Sequence, residues 1–511
     1  MYSKDYLEMA ITRRKKPEVD LSDLNIQKLK NTFFILLVPV FLVGFGILTD
    51  WLLPKFLIYG VVLLLGLFIF FKGLSDPELL IAAFIIYLPM AKAFKFNIAP
   101  MVNGTNVFFF AIFLCLVFSS REKSKEIFKR PIHVYVLWYA VLSTFSGLTT
   151  ILFIPDGISY LLGESLYEYK AWVDQFVLYF LIYKGIDNKG FAKRVFFYMI
   201  LGSILMELYA IEELLKKIGR SSIEKSRVDG PLYQPNDFGA FIVYTSSMLI
   251  ALIVVNIKNL KVWILAPYLL FIVRLLLSTF SRGAYLGFAA VGLVSAYVKG
   301  KSFLISMGLV AVLAIMLFPE LVPSSLKDRM SQTTENDGIE EKVDQSTESR
   351  FVLWDAAVEM TKESPLIGKG FKAFRYLKAD YTKEDVRESD THSMYLYLSS
   401  QMGIPVLVLF LLILWKLFIK GRNLYLTSDD KVEKAIGLSA ASMVAGVAVI
   451  NVFGSRMVNI EVCAYVWIMV VIIDVLTREK VTKGKNKSRA FDKQKTEGLV
   501  GPDLPKLNKP L

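Results

Sequence analysis

Several short segments of the chain combine a cationic or titratable residue with turn-forming residues, and the most distinctive is Ser281-Arg282-Gly283-Ala284. Gly283 permits a tight turn between two apolar stretches, and the Arg282 guanidinium carries five N–H donors in a fixed plane that suits phosphate oxygens. This pattern predicts a phosphate-binding residue at the turn. The alternative is an interfacial arginine whose side chain extends to lipid headgroups.

The second segment is Asp390-Thr391-His392-Ser393. Histidine titrates near neutral pH and can accept a proton from a hydroxyl group, and Asp390 is close enough in sequence to orient or stabilise it. His392 is therefore a candidate general base. The alternative is a histidine at the start of a helix, with Asp390 or Ser393 acting only as its cap.

Two further segments carry candidate binding residues. Between Arg227 and Asn236 the chain contains a glycine and two prolines. They stiffen a loop in which Asn236 can hydrogen-bond a hydroxylated ligand, although the same residues also suit an ordinary turn and helix cap. Arg350 opens a stretch with helical spacing of apolar residues. Its Trp354 fits a membrane-surface anchor better than a ring that stacks on a sugar.

These residues must be positioned by a largely apolar chain. Of its 511 residues, 54% are hydrophobic, the mean hydropathy is +0.49, and the apolar residues fall in blocks of roughly 15 to 22, the length of a membrane-crossing helix. The sequence predicts an all-α, polytopic integral membrane protein with about fourteen transmembrane helices. The predicted spans are 32–49, 55–71, 78–92, 106–119, 132–154, 171–184, 194–211, 238–255, 262–279, 283–298, 302–318, 393–418, 435–453 and 457–476.

The orientation follows from the short loops, because lysine and arginine concentrate in every second one, as cytoplasmic loops require. Both termini are then cytoplasmic, and all four candidate segments lie at the outer face. The large outer loop includes a short amphipathic helix that begins near Ser349. The predicted regions are a cytoplasmic N-terminal segment (1–31), a transmembrane bundle (32–318), the large periplasmic or extracellular loop (319–392), C-terminal transmembrane helices (393–477) and a basic, disordered cytoplasmic tail (478–511).

The charge and cysteine content exclude several classes of function. The net charge is +13, but the basic residues lie mainly in loops and the tail, so we attribute the charge to membrane topology and expect no nucleic-acid partner. Cys115 and Cys463 lie within apolar runs, and no cysteine or histidine cluster has metal-ligand spacing. The sequence therefore predicts no disulfide, no bound metal and no cofactor.

Taken together, the four segments resemble the O-antigen ligase and polymerase family, bacterial membrane enzymes that transfer saccharides from undecaprenyl pyrophosphate. The resemblance covers roughly residues 225–420. It includes Arg-x-x-Gly…Pro-Asn, Ser-Arg-Gly-Ala, Ser-Arg…Trp…Pro-Leu-x-Gly-x-Gly, and a histidine at the end of the large loop, followed by Gly403-Ile404. The chain departs from the family at Ser393, where many members have asparagine, and at Pro405, where a small residue and glycine are usual.

The resemblance implies a glycosyltransferase in the bacterial cytoplasmic (inner) membrane. Arg282 and Arg350, with Arg227, would bind the pyrophosphate of the lipid-linked donor, and His392 would deprotonate the acceptor hydroxyl, giving inversion without a metal. Asn236 and Asp390 would contact substrate. The partners would be the undecaprenyl-pyrophosphate-linked saccharide, a saccharide or lipid-linked acceptor, membrane lipids and other polysaccharide-assembly proteins. The sequence leaves open whether the chain is a polymerase, a ligase or a protein-glycosylating enzyme.

The competing hypothesis is a transporter, such as a flippase for a lipid-linked saccharide. A transporter places essential polar residues near the membrane midplane on discontinuous helices, whereas the candidates here collect at one face. Glu207 and Arg274 lie within predicted spans, and we expect them either to pair with each other or to face a wet cavity.

Overall fold

A computed structural model describes residues 28–32, 66, 68–73, 76–93, 97–99, 102–118, 131–217, 223–317, 334–336, 341–343, 345–382 and 389–477. Within these ranges the chain is overwhelmingly helical. Strands occur only as two short antiparallel pairs, β1 (Asn97–Ala99) with β2 (Val102–Asn103) and β3 (Thr334–Asn336) with β4 (Glu341–Val343). The predicted spans 32–49 and most of 55–71 lie outside the described residues, as does the tail.

Within the described residues, the following helices occur in chain order. They are α1 (Pro77–Tyr87), α2 (Gly104–Phe118), α3 (Pro131–Phe153), α4 (Gly157–Leu162), α5 (Leu166–Gly185), α6 (Lys189–Lys217), α7 (Ile223–Ser226), α8 (Pro235–Val255), α9 (Ala266–Leu277), α10 (Arg282–Lys299), α11 (Lys301–Leu317), α12 (Gln345–Glu363), α13 (Ala373–Tyr381), α14 (Met394–Met402), α15 (Ile404–Thr427), α16 (Lys431–Ile450) and α17 (Ile460–Thr477). Short 3₁₀ helices occupy Leu88–Met90, Gly230–Leu232 and Leu260–Leu265.

Helix α16 lies at the centre of the part of the bundle that carries the candidate residues, packed against α8, α10 and α15. Its sequence is rich in alanine, glycine and serine, the residues that let membrane helices approach closely. A β-carbon on Gly437 would lie 2.6 Å from the carbonyl oxygen of Gly421 on α15. Small side chains therefore set the spacing of these four helices.

Seven helices within the described residues are long and apolar enough to cross a membrane. These helices and the shorter apolar ones coincide with predicted spans, so the polytopic helical architecture is supported. The total of about fourteen spans stays a prediction.

One predicted span needs correction. Residues 393–418 were expected to form one helix, but the chain breaks at Gly403, where φ is +92°. The Ile404 N–H donates to the carbonyl oxygen of Pro365 at 2.8 Å. A β-carbon at position 403 would lie 2.3 Å from the carbonyl oxygen of Leu366. The close approach of the large loop therefore requires glycine there and separates α14 from α15.

Of the two alternatives for Glu207 and Arg274, pairing with each other is wrong. Glu207 is buried on α6 and accepts hydrogen bonds from the hydroxyl groups of Tyr268 and Thr245. Arg274 is exposed on the face of α9 away from the bundle. Neutral hydroxyl donors, rather than a guanidinium, satisfy the buried carboxyl.

Candidate active site

Arg282 is the first residue of α10, directly after a strained turn. Phe280 adopts φ +50°, an unfavourable conformation for a bulky residue, and Ser281 returns to extended backbone as the N-cap. The Ser281 side chain makes no cap hydrogen bond, and the first turn of α10 has no acidic residue. A helix N-terminus carries partial positive charge, so a cation placed there is electrostatically favourable only beside an anion.

The same turn holds the Arg227 segment. The Arg227 Nε donates to the carbonyl oxygen of Thr279 at 3.1 Å, and its terminal nitrogen donates to Asn236 Oδ1 at 2.9 Å. The Val228 N–H donates to the carbonyl oxygen of Ser278 at 2.8 Å. Arg227 and Arg282 thus flank one turn, and the structure brings Asn236 to this group.

Asn236 is not the helix cap. Gln234 performs that role, because its side chain accepts from the Asp237 N–H at 2.9 Å. The Asn236 amide oxygen is bound by Arg227, and its amide nitrogen has no partner in the described part of the chain. A half-buried amide N–H₂ beside an arginine can donate to a hydroxyl or phosphate oxygen.

A salt-bridge network holds the segment that contains Arg227. Lys217 Nζ donates to the Arg227 carbonyl oxygen at 2.5 Å and to Asp229 Oδ1 at 2.6 Å. Burial raises the pKa of Asp229, but hydrogen bonds with Glu213 and Lys217 outweigh it and hold that pKa below its usual value. Asp229 is therefore ionised and keeps the loop attached to the end of α6.

His392 lies just before α14 in a second strained turn, with φ +49°. Thr391 Oγ1 donates to the Ser393 carbonyl oxygen at 2.9 Å and stabilises that turn. Ser393 is the N-cap, but its side chain makes no cap hydrogen bond. Asp390 Oδ1 accepts from Ser455 Oγ at 3.2 Å. Asp390 thus anchors the histidine segment to the connection between α16 and α17.

That connection, the 451–459 turn, contacts the first turns of three helices. On α8, Asp237 accepts from Arg456 and Asn459 at 2.7 and 2.6 Å. On α10, a β-carbon at Gly283 would lie 3.3 Å from the β-carbon of Phe453. On α14, the Met394 N–H donates to the Asn451 carbonyl oxygen at 2.9 Å. The segments of Asn236, Arg282 and His392 therefore meet at one turn.

Arg350 is positioned through helix α12. It lies near the start of α12, and Thr361, near the end of that helix, donates to Ser399 Oγ on α14 at 3.1 Å. Leu396 of α14 packs against the apolar cluster that includes Leu353 of α12. The two helices therefore run in the same direction, with Arg350 toward the end where His392 lies. Helix α12 begins at Gln345, close to its predicted start at Ser349.

The sequence prediction missed Arg456. Its guanidinium lies against Gly454, where a β-carbon would be 2.5 Å from Nε. The sequence signal for it was a cation in the short connection between the last two spans, which lies on the side of the membrane where the positive-inside rule expects few basic residues.

His133 is buried at the opposite end of the bundle, where its backbone N–H donates to Asp474 at 3.3 Å. Among the described residues, no group of three or more metal-ligand side chains was found.

Residues 266–411 match the family model described as O-antigen ligase. This stretch forms an O-antigen ligase domain. The predicted resemblance to the O-antigen ligase and polymerase family is thereby confirmed. A comparison of the chain with curated proteins found no match. The family and the apolar helices together indicate a multi-pass membrane protein of the ligase and polymerase class.

The O-antigen ligase domain contains part of the candidate site. Arg282, Arg350, Asp390 and His392 lie within the matched residues. Arg227 and Asn236 precede the domain, and the 451–459 turn follows it, yet hydrogen bonds connect both to the domain, from Arg227 to Thr279 and from Ser455 to Asp390. The structural unit around the candidate residues is therefore larger than the matched stretch.

Proposed function

We propose that the protein transfers a saccharide from an undecaprenyl-pyrophosphate donor to an acceptor hydroxyl at the outer face of the bacterial cytoplasmic membrane. This proposal adds donor, acceptor and mechanism to the general polymerase or ligase class that the family match supports. Its acceptor is a saccharide, either lipid-linked or on lipid A core. The described geometry is compatible with both.

The observation that carries the proposal is the meeting of three helix starts with two arginines at the 451–459 turn. Arg227 and Arg282 flank one side of this region, and the starts of α10 and α14 lack side-chain caps and acidic residues in their first turns. Helix N-termini and guanidinium groups both favour phosphate oxygens. A diphosphate is the chemical group that this combination suits best, because it brings two adjacent negative charges.

The reaction follows from these roles. The acceptor hydroxyl oxygen attacks the anomeric carbon, its proton passes to His392, and the bond from the anomeric carbon to the phosphate oxygen breaks. The electron pair of that bond remains on undecaprenyl pyrophosphate, whose new charge Arg282, Arg227 and Arg350 stabilise. Attack opposite the leaving group inverts the anomeric configuration. Asn236 donates to a substrate oxygen, and Asp390 holds the histidine segment in place.

The experiment compares two arginines on the same helical hairpin. Arg282→Lys retains the charge but loses the planar fork, so donor affinity and transfer rate should both fall at least about tenfold. Arg274→Lys is the matched control, because Arg274 is exposed and lies two turns earlier on α9. Binding of a non-hydrolysable undecaprenyl-pyrophosphate analogue and product formation would be measured on protein in lipid nanodiscs.

The same assay in excess EDTA examines the metal-independent mechanism. Product formation should persist, because guanidinium groups and helix N-termini are proposed to neutralise the leaving diphosphate. Activity that disappears in EDTA and returns with magnesium would contradict the arginine mechanism. Equal effects of Arg282→Lys and Arg274→Lys on donor affinity would contradict the assignment of Arg282.

A further inference from the structure

The ion pair between Asp237 and Arg456 joins two parts of the chain that lie on opposite sides of the matched domain. Asp237 is 3% exposed, and both of its carboxylate oxygens are engaged. Oδ1 accepts from the Arg456 guanidinium at 2.7 Å, and Oδ2 accepts from Asn459 Nδ2 at 2.6 Å. A buried carboxylate requires such partners, so this pair fixes the 451–459 turn to the start of α8.

Asp237 directly follows Asn236, the residue that binds the Arg227 guanidinium. Because Asn236 and Arg227 are hydrogen-bonded to each other, displacement of Asp237 would shift the two together relative to the His392 segment. The Asp237 N–H is also held by Gln234. The ion pair therefore sets the position of the donor-binding side of the proposed site.

The same turn holds the histidine side. The Arg456 N–H donates to Asn451 Oδ1 at 3.0 Å, and the Asn451 carbonyl oxygen accepts from the Met394 N–H at 2.9 Å. Ser455, the residue before Arg456, donates to Asp390. Both anchors of the His392 segment are thus neighbours of Arg456 in the turn.

We propose that Arg456 is a positioning residue that fixes the donor side of the site, Arg227 and Asn236, relative to the base side, Asp390 and His392. This inference rests on the proposed function for its effect on the reaction. Arg456 acts through Asp237 and the 451–459 turn rather than by contact with the reacting atoms. A displacement of about 1 Å between reacting groups can lower a rate by about 10²-fold.

The kinetic test uses Arg456→Met, Arg456→Lys and the exchanged pair Asp237→Arg with Arg456→Asp. Arg456→Met should lower kcat about 10- to 100-fold, with affinity for the undecaprenyl-pyrophosphate analogue within about threefold of wild type. Arg456→Lys and the exchanged pair should recover part of kcat. The control is Lys193→Met, which breaks a similarly buried ion pair with Asp430 at the other end of the bundle. It should leave kcat unchanged for the folded fraction.

A spectroscopic test does not depend on activity. Nitroxide labels on Tyr233→Cys and Ser389→Cys, both exposed positions, report the distance between the two sides by pulsed electron resonance. Labelled protein with native Arg456 should give one narrow distance distribution, Arg456→Met a broader one, and Lys193→Met no change.

The outcomes separate the two proposals. An unchanged distance distribution in Arg456→Met would overturn the positioning role, whatever the activity. The positioning role would also be overturned if the lower kcat of Arg456→Met only reflected less folded protein. A loss of donor affinity as large as that of Arg282→Lys would overturn it as well. A wild-type protein that transfers no saccharide would overturn the proposed function alone, because the distance measurement would still test Arg456.

Discussion

Charge is compensated differently at one end of the helical bundle and at the starts of α10 and α14 at the other end. At the end that we call the basic end, defined by Lys193, Arg194 and Lys420, each cation pairs with a buried or nearly buried carboxylate. Lys193 lies 2.8 Å from Asp430, Arg194 lies 2.6 Å from Glu78, and Lys420 lies 2.6 Å from Asp474. These three cations are therefore neutralised within the protein.

Two helix starts at the basic end have side-chain caps. Asp430 caps α16 by accepting from the Val432 and Glu433 N–H groups at 2.7 and 3.1 Å. Asn188 caps α6 by accepting from the Phe191 N–H at 2.8 Å. An acidic residue, Glu433, lies in the first turn of α16. These are the interactions that stabilise a helix N-terminus in the absence of a ligand.

The starts of α10 and α14 differ on each point. Ser281 and Ser393 make no side-chain cap hydrogen bonds, neither first turn contains an acidic residue, and α10 begins with a cation. Phe280 and His392 hold left-handed backbone conformations beside these starts. Strained backbone clusters at functional sites in proteins, and an uncapped helix start is a ready anion-binding site. This contrast supports the proposed anion site at the starts of α10 and α14.

The largest expected effect is a difference in cysteine accessibility between the two ends, because the predicted topology places them on opposite sides of the membrane. We predict that Ser389→Cys, near His392, reacts with an impermeant maleimide in spheroplasts, whereas Asp429→Cys, at the basic end, does not. Both positions are exposed, and Cys115 and Cys463 would first be replaced by alanine. Permeabilised cells provide the control, in which both cysteines should react. Labelling of Asp429→Cys but not Ser389→Cys in intact spheroplasts would show that the orientation is opposite to the predicted one.

The next effect concerns the base. His392→Ala should lower the transfer rate about 10²- to 10⁴-fold and leave binding of the donor analogue nearly unchanged. The rate would be measured across pH with saturating donor, and the basic-end variant Lys420→Met provides the comparison. If His392→Ala transfers saccharide at the wild-type rate, His392 is not the general base and only precedes a helix.

The sequence allowed the helices to be predicted well, because apolar runs of membrane-crossing length specify them locally. The two glycines of the Pro-Leu-x-Gly-x-Gly motif, Gly368 and Gly370, adopt φ +67° and +107°. The break at Gly403 was missed, since glycine within an apolar run is ordinary in membrane helices and only the approach of Leu366 reveals its need.

The arrangement of the candidate site was only partly predictable. Charge patterning predicted that Arg227, Arg282 and His392 share one face, but not that Arg227 binds Asn236 or that Asp237 binds Arg456. Asp237 and Arg456 are far apart in sequence, and the contact between Arg227 and Asn236 depends on the conformation of the loop between them. Arg456 lacked a motif, and its importance follows only from packing of the 451–459 turn against three helices.

A smaller effect is expected from breaking an ion pair at the basic end. Burial raises the pKa of Asp430, but the hydrogen bond from Lys193 and backbone N–H groups outweigh it and hold that pKa below its usual value. Asp430→Asn should therefore lower stability by about 1–3 kcal/mol at neutral pH. Glu433, 3.7 Å from Lys193, limits the loss.

The pH dependence of that variant has a defined sign. The folded-state pKa of Asp430 is lowered, so its stabilisation is present above the unfolded-state pKa of about 4 and disappears as pH falls through the folded-state value. Thermal unfolding in nanodiscs should show the difference between wild type and Asp430→Asn at pH 7 and a smaller difference at acidic pH. Transfer by the folded fraction should be unchanged at pH 7.

The smallest effect is expected from adding a helix cap at Ser281 and removing one at Asn188. Ser281→Asp supplies α10 with a cap and a carboxylate beside Arg282, so stability should rise by about 0.5–1 kcal/mol while donor affinity falls. Ser281→Asn adds a cap without charge and should keep the donor affinity. At the basic end, Asn188→Ala removes the hydrogen bond to Phe191 N–H and should cost about 1 kcal/mol without changing donor affinity. Thermal unfolding and binding of the donor analogue would be measured on all three variants. Because the added carboxylate of Ser281→Asp would occupy the position proposed for phosphate, wild-type donor affinity in that variant would show that the anion binds elsewhere.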